Sequence, residues 1–292
     1  MLIPEFRSIT LQDQDDLEAV RSLVDNPFTA LSFPSLYTWK DTLKLSMFKG
    51  DGFCSVYSEH DKGYFCPMGD VSRYMELIDS FIQVGKSFKI MYLSEAQAER
   101  LKIEKGAEIQ VNRNLSEYLY DAAALAFEEK PARNFRRRVY NFQKKYDYQA
   151  KLITNEDLPE LFRFVQEEKD SIALEDDADA LIKALEAYNK LHMTGVILRG
   201  SRNLAFMIGY QNTQDIFTMT VIRSTPEWRS ISVAACEHEL AKHICSTFRY
   251  VDLEEDLGIP GLRNIKTLTK PIKMLDAWEA YFFTNNNEDS ST

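Results

Sequence analysis

The chain has 292 residues, 35 of them basic and 45 acidic, for a net charge of −10. That length admits one large domain or two of ordinary size, and 45% apolar with 27% charged residues is the profile of a globular chain, not a disordered one. The charge argues against nonspecific coating of DNA or an anionic bilayer, so any anionic partner must be held by a local basic patch against the overall field; no stretch approaches the roughly 18 apolar residues of a membrane span, so integral membrane association is excluded.

The first residues lack a basic region followed by an apolar core, so no secretory signal is expected. Cys54, Cys66, Cys236 and Cys245 are too scattered for a disulfide framework or a thiolate zinc site, which suits reduced thiols in a cytoplasmic protein. In chain order, residues 6–10 read as a strand, followed by a helix through Leu17, Val20 and Leu23 and a short aromatic helix over 33–39. Strands are expected at 43–49, 52–58 and 64–67, then a helix bearing Met75, Ile78, Phe81 and Ile82, a strand at 88–93 and a brief helix at 95–101. Segments 107–112 and 117–121 are expected to close the sheet.

The order then recurs. A strand at 148–153 precedes helices through Leu158, Leu161, Phe164 and Val165, and through Leu181, Leu185 and Tyr188; the acidic run at 175–179 suits a helix start. Apolar strands follow at 194–199, 204–210 and 216–222, then a helix bearing Val233, Cys236, Leu240 and Ile244. Strands at 250–253, 271–275 and 280–283 end the pattern. Helix pair, three-strand meander, helix, strand, helix, strand occurs twice, the pattern of a duplicated mixed α/β (α+β) domain. The expected organisation is a first domain over 1–125, a connecting helix over 126–147, a second domain over 148–284 and a disordered polar tail over 285–292.

The connecting segment is the most unusual. On a helix, Phe135, Val139, Phe142 and Tyr146 form one apolar stripe, Arg133, Arg136, Arg137 and Lys144 project on the other side, and Arg138 and Lys145 lie along a margin. In an acidic chain this is a concentrated positive face, suited to an anionic partner. His238 and His243 nearly form a zinc-protease motif, but a spacing of i, i+5 turns them about 140° apart, and no metal is expected; His238 reads as solvent-facing and His243 as partly buried. Cys236 and His243, ~10 Å apart along the helix, form no dyad, and Cys236 reads as core. Neither a serine-hydrolase elbow nor a glycine-rich nucleotide loop is present. Glu254-Glu255-Asp256 is more informative: carboxylates at the carboxyl end of a strand are well placed to orient an amine or take its proton. Gly258 and Gly261 then permit close backbone approach, and Arg263 and Lys266 follow three apart on a helix.

The run from Glu255 and Asp256 through Gly258, Gly261, Arg263 and Lys266 to Pro271 resembles the signature of a bacterial family grouped with the carboxyl-terminal domain of phosphatidylglycerol lysyltransferase. The basic segment, and Ser32-Phe33 with Leu36-Tyr37 and Trp39, resemble two further motifs of that family, and the likeness spans about residues 6–283. The resemblance implies two tandem acyl-CoA N-acyltransferase-like (GNAT-like) domains, each a mixed sheet with helices on both faces, similar to Fem peptidyltransferases. It implies an acyltransferase moving an aminoacyl or acyl group from a charged tRNA or other anionic donor to a small-molecule, peptide or lipid-headgroup acceptor, by direct attack on an ester carbonyl. Glu255 and Asp256 are the expected catalytic carboxylates; Arg133, Arg136, Arg137, Lys144, Trp228, Arg229, Arg263 and Lys266 are the expected donor-binding residues. The chain departs from acetyltransferases at residues 228–233, where the glycines that cradle the CoA pyrophosphate are missing. It also carries none of the multi-pass region of full lipid-modifying synthases, so action on phosphatidylglycerol by the chain alone is not expected. Acyl-CoA as donor of a small-molecule N-acetyltransferase, and a non-catalytic binding module on the same fold, are the alternatives.

Overall fold

The computed structural model describes residues 5–171 and 175–283, so the expected disordered tail at 285–292 lies outside the described residues. The first elements are β1 (Arg7–Ser8), α1 (Gln14–Arg21), α2 (Phe33–Trp39), β2 (Leu45–Lys49), β3 (Phe53–Ser58), β4 (Gly63–Phe65) and β5 (Met68–Gly69). Then come α3 (Val71–Val84), β6 (Phe88–Leu93), α4 (Glu95–Lys105), β7 (Glu108–Val111), β8 (Glu117–Asp121), α5 (Ala122–Ala126), α6 (Arg133–Lys145) and β9 (Gln149–Leu152). These are followed by α7 (Leu158–Ser171), α8 (Glu175–Glu186), β10 (Thr194–Arg199), β11 (Leu204–Gln211), β12 (Ile216–Ser224), α9 (Val233–Ile244) and β13 (Tyr250–Asp252). The last are α10 (Pro260–Thr269), β14 (Lys273–Leu275) and β15 (Trp278–Phe282). Local chemistry sets many boundaries. Asp70 caps α3 by accepting from the N–H groups of Ser72 and Arg73, and Ser94 with Gln97 forms a capping box on α4.

The elements form two compact units, one running up to Arg113 and resuming at Asp276, the other Asn114–Leu275. The sheet of the first unit has the order β1-β2-β3-β4-β6-β15-β7, with β5 also on β3; that of the second is β9-β10-β11-β12-β13-β8-β14. From the first-named strand, each shows three antiparallel pairings, one parallel pairing, then two antiparallel ones. Segments 107–112 and 117–121 do not close one sheet together. β7 ends the first sheet, whereas β8 is an interior strand of the second, and the final strand β15 fills the equivalent place in the first. The reason is burial: Glu117, Tyr118, Leu119 and Tyr120 are all buried and β8 is paired along both edges, which a place beside the exposed edge strand β7 would not provide.

The basic helix α6, expected as a connector, belongs to the core of the second unit. Phe135, Val139 and Phe142 pack with Ala234, Leu240 and Ala241 of α9 over Met207, Phe217 and Val251, and each such side chain contributes about 1.5–3 kcal/mol when fully buried. Cys236 is core, as read from the sequence. The two histidines exchange their expected environments. His238 is buried, with Nδ1 2.8 Å from the Leu125 carbonyl and its ring 4.1 Å from that of Phe127, because α5 covers that side of α9; His243 is exposed.

Candidate functional site

The second unit has one parallel strand pair among its described residues, and the paired stretch is short. β12 and β13 are in register only over Ile216↔Tyr250, Phe217↔Val251 and Thr218↔Asp252, after which β13 ends while β12 continues to Ser224. Where they part, the register of β11 on β12 jumps from Ile208↔Val221 to Gly209↔Met219, leaving Thr220 as an extra, bulged residue. Gly209 suits this place, since a Cβ there would lie 2.2 Å from the Thr218 carbonyl oxygen. Bulges re-aim side chains next to working sites, and here the Thr220 hydroxyl donates to Glu254 Oε1 at 2.8 Å.

The chain leaving β13 is bent tightly. Glu254 has φ +60°, and its N–H donates to Asp252 Oδ1 at 2.7 Å. Lys266 of α10 is buried, and its ammonium donates to three successive carbonyls: Leu253, Glu254 at 3.0 Å and Glu255 at 2.6 Å. Carboxylates outnumber cations here. Burial, and then the neighbouring Glu255, push the Glu254 carboxyl well above the ordinary glutamate range; burial also raises Glu255, against the pull of its own N–H and of Lys266. Glu237 of α9, also buried, is raised to about 7 by burial, opposed by Arg138 and Lys266, and its Oε2 has no hydrogen-bond partner. Glu237 is therefore able to exchange a proton near neutral pH, and burial favours the protonated forms of Glu254 and Glu255.

Asp256 has another task. Burial alone would raise its carboxyl, yet Arg263, Tyr118 and the Gly258 N–H hold it well below the ordinary range. Arg263 binds it in a fork, Nε to Oδ2 at 2.8 Å and Nη2 to Oδ1 at 2.7 Å; the Tyr118 hydroxyl donates to Oδ2 and the Gly258 N–H to Oδ1 at 2.9 Å. Each oxygen already accepts two hydrogen bonds, so the geometry suits Asp256 to holding the loop rather than meeting a substrate. Arg263 also reaches Asn114 Oδ1 at 2.9 Å. Lys266 has likewise committed its three N–H donors.

The remaining expected residues do not gather around the carboxylates. Trp228 is buried among Phe142, Tyr146 and Tyr148, with ring centroids 5.0, 5.6 and 6.3 Å away. Arg229 pairs with Glu168 of α7 at 2.6 Å. On α6, Arg133, Arg136, Arg137 and Lys144 are exposed, with no acidic partner among the described residues. Sequence reasoning missed Glu237 and Thr220. Glu237 had a signal, a charged residue on the apolar stripe of Val233, Leu240 and Ile244; Thr220 had none, because a bulge is a property of strand register. Among the described residues no helix is long and apolar enough to cross a membrane, and no group of three His, Cys, Asp or Glu side chains is placed to hold a metal ion.

The family profile described as "Phosphatidylglycerol lysyltransferase, C-terminal" matches residues 22–281. Among solved structures, a conserved protein of unknown function from Bacteroides thetaiotaomicron superposes with a TM-score of 0.83 at 24% identity, covering 96% of this chain and 100% of that one. The structure of L-PGS from Bacillus licheniformis gives a TM-score of 0.63 at 14% identity, covering 99% and 96%. FemX gives 0.57 at 11% identity, covering 94% and 96%. No curated protein sequence matches the chain significantly.

Proposed function

The chain belongs to the phosphatidylglycerol lysyltransferase C-terminal family, and from that premise we propose that it is an acyltransferase carrying an aminoacyl group from an anionic, tRNA-like ester donor to an amine or hydroxyl acceptor. The observation that carries the reading is the end of the β12–β13 pairing, where the bulged Thr220 holds Glu254 beside Glu255 at the end of a strand. An acceptor amine must lose a proton to attack an ester carbonyl. A carboxylate with a raised affinity for protons is suited to take it and later to return it to the departing ribose oxygen. The C–N bond forms, the ester C–O bond breaks and the proton passes from nitrogen through Glu254 or Glu255 to the leaving oxygen, so no net charge is left on the enzyme. We assign Arg133, Arg136, Arg137 and Lys144 to the donor phosphates, and Asp256, Arg263, Lys266 and Trp228 to positioning. On the same reading the matching pairing directions of the two sheets descend from a duplication whose halves have exchanged one strand each, and the protein works in the cytoplasm.

A second reading, an acetyl-CoA-dependent N-acetyltransferase, is favoured by Ser232. This residue precedes α9, makes no capping bond, and has a buried hydroxyl without a partner; a phosphate group is a fitting acceptor for it. Binding of labelled aminoacyl-tRNA and of CoA, measured against salt, separates the two. The transfer reading expects log K for tRNA to fall by about 0.7–0.9 per phosphate contact for each log unit of salt. Replacing Arg133, Arg137 and Lys144 by Gln should flatten that slope, while Glu254→Gln leaves binding intact and slows ester turnover by about 10²–10⁴-fold. Tight CoA binding with an unchanged tRNA slope in the triple variant would overturn it.

A further inference from the structure

Helix α10 is built inside out. Lys266 and Thr269 are its buried residues, while Ile265 and Leu268 are 39% and 42% exposed. Leu257 and Ile259 on the loop leading in, and Ile272 just beyond, are 58%, 51% and 55% exposed. The inversion has a cause. The Lys266 ammonium must face inward to meet the carbonyls of Leu253, Glu254 and Glu255, and the Lys266 carbonyl accepts from the Tyr120 hydroxyl. Thr269 is held inward by Arg138 of α6, whose Nη2 donates to its hydroxyl at 2.7 Å. With the polar face turned inward, the aliphatic face is left in water.

Ile265 and Leu268, three residues apart, share one face of the helix, and a face of exposed aliphatic side chains on a monomer is more often an interaction site than singly scattered ones are. Charge identifies what covers it. The segment 257–273 has no acidic residue and carries Arg263, Lys266, Lys270 and Lys273, in a chain whose acids outnumber its bases 45 to 35. Lys270 and Lys273 are exposed beside Ile272. Exposed aliphatic side chains flanked by lysines, on a helix whose other face is anchored, match the surface of an anionic bilayer. We infer that α10 and its flanks dock the protein on anionic lipid, with Leu257, Ile259, Ile265, Leu268 and Ile272 entering the boundary between headgroups and acyl chains and the two lysines meeting lipid phosphates. The docking face is independent of the transfer chemistry and uses neither Glu254 nor the basic face of α6.

The test is co-sedimentation of the whole chain with vesicles of phosphatidylcholine alone or mixed with phosphatidylserine, a headgroup chosen so that substrate recognition at the transfer site does not stand in for surface docking. The partition coefficient should be at least about tenfold higher on the anionic vesicles, each lysine accounting for about fivefold. Ile265→Ser with Leu268→Ser should lower it about tenfold or more, and Lys270→Asn with Lys273→Gln should remove the preference for phosphatidylserine. Both variants should still unfold cooperatively, the lysine pair with the wild type and the serine pair slightly below it, since Ile265 and Leu268 are 39% and 42% exposed. Equal pelleting with and without vesicles, or variants that bind as the wild type does, overturns the inference. So does a dimer in light scattering that the serine pair abolishes while vesicles bind nothing, which would assign the face to a second copy of the chain.

Discussion

Replacing Asp256 by Asn separates a carboxylate that holds a loop from one that performs chemistry. The side chain is fully buried and accepts from Arg263 twice, from the Tyr118 hydroxyl and from the Gly258 N–H. Asn keeps the shape but turns one acceptor oxygen into a donor, setting N–H against N–H or O–H. Each buried hydrogen bond lost in this way costs about 1–3 kcal/mol. The Arg263 side chain is 38% exposed and can turn to water, so its share is discounted. The expected loss is therefore about 2–3 kcal/mol, or a fall of roughly 3–5 °C in Tm for a chain of this size. Urea denaturation at neutral pH, repeated in acid, measures it. The folded Asp256 carboxyl lies below its ordinary 3.8, so its stabilisation is present above the unfolded value and is lost as pH falls through the folded one. The gap between wild type and variant should accordingly close below about pH 4. A variant that melts with the wild type yet loses transfer activity would refute this assignment and return Asp256 to the chemistry.

Two further substitutions bear on the same cluster. Glu237→Gln removes a buried carboxyl raised to about 7 from 4.5; a raised acid binds more protons folded than unfolded, so wild-type stability declines as pH rises through that interval. The variant should lose this slope and gain on the order of 2 kcal/mol at pH 8, and an unchanged slope in pH-dependent denaturation would count against a buried, titrating Glu237. Lys266→Met withdraws the donor from three carbonyls and should cost about 3–5 kcal/mol; an unchanged urea midpoint with only a raised KM for donor would instead make Lys266 a substrate contact.

Periodicity and composition determined much that lies within single segments. The stripe of Phe135, Val139 and Phe142 is buried and the arginines on the other side of α6 are exposed, because the faces of a helix follow from spacing alone. The position of Glu254 and Glu255 after a buried strand was equally legible. Partnership was not. β8 and β15 pair far from their sequence neighbours, since a strand's place depends on which edges elsewhere remain open. The charges of Asp256, Arg263 and Lys266 were visible, but not that they would be consumed by one another's loops, by Tyr118 and by backbone carbonyls. Trp228 and His238 were assigned to solvent or a pocket because nothing in their own segments records that α6 and α5 cover them. Periodicity orients a side chain relative to its own axis; only the packing of distant elements decides whether that direction meets water, a substrate or another part of the chain.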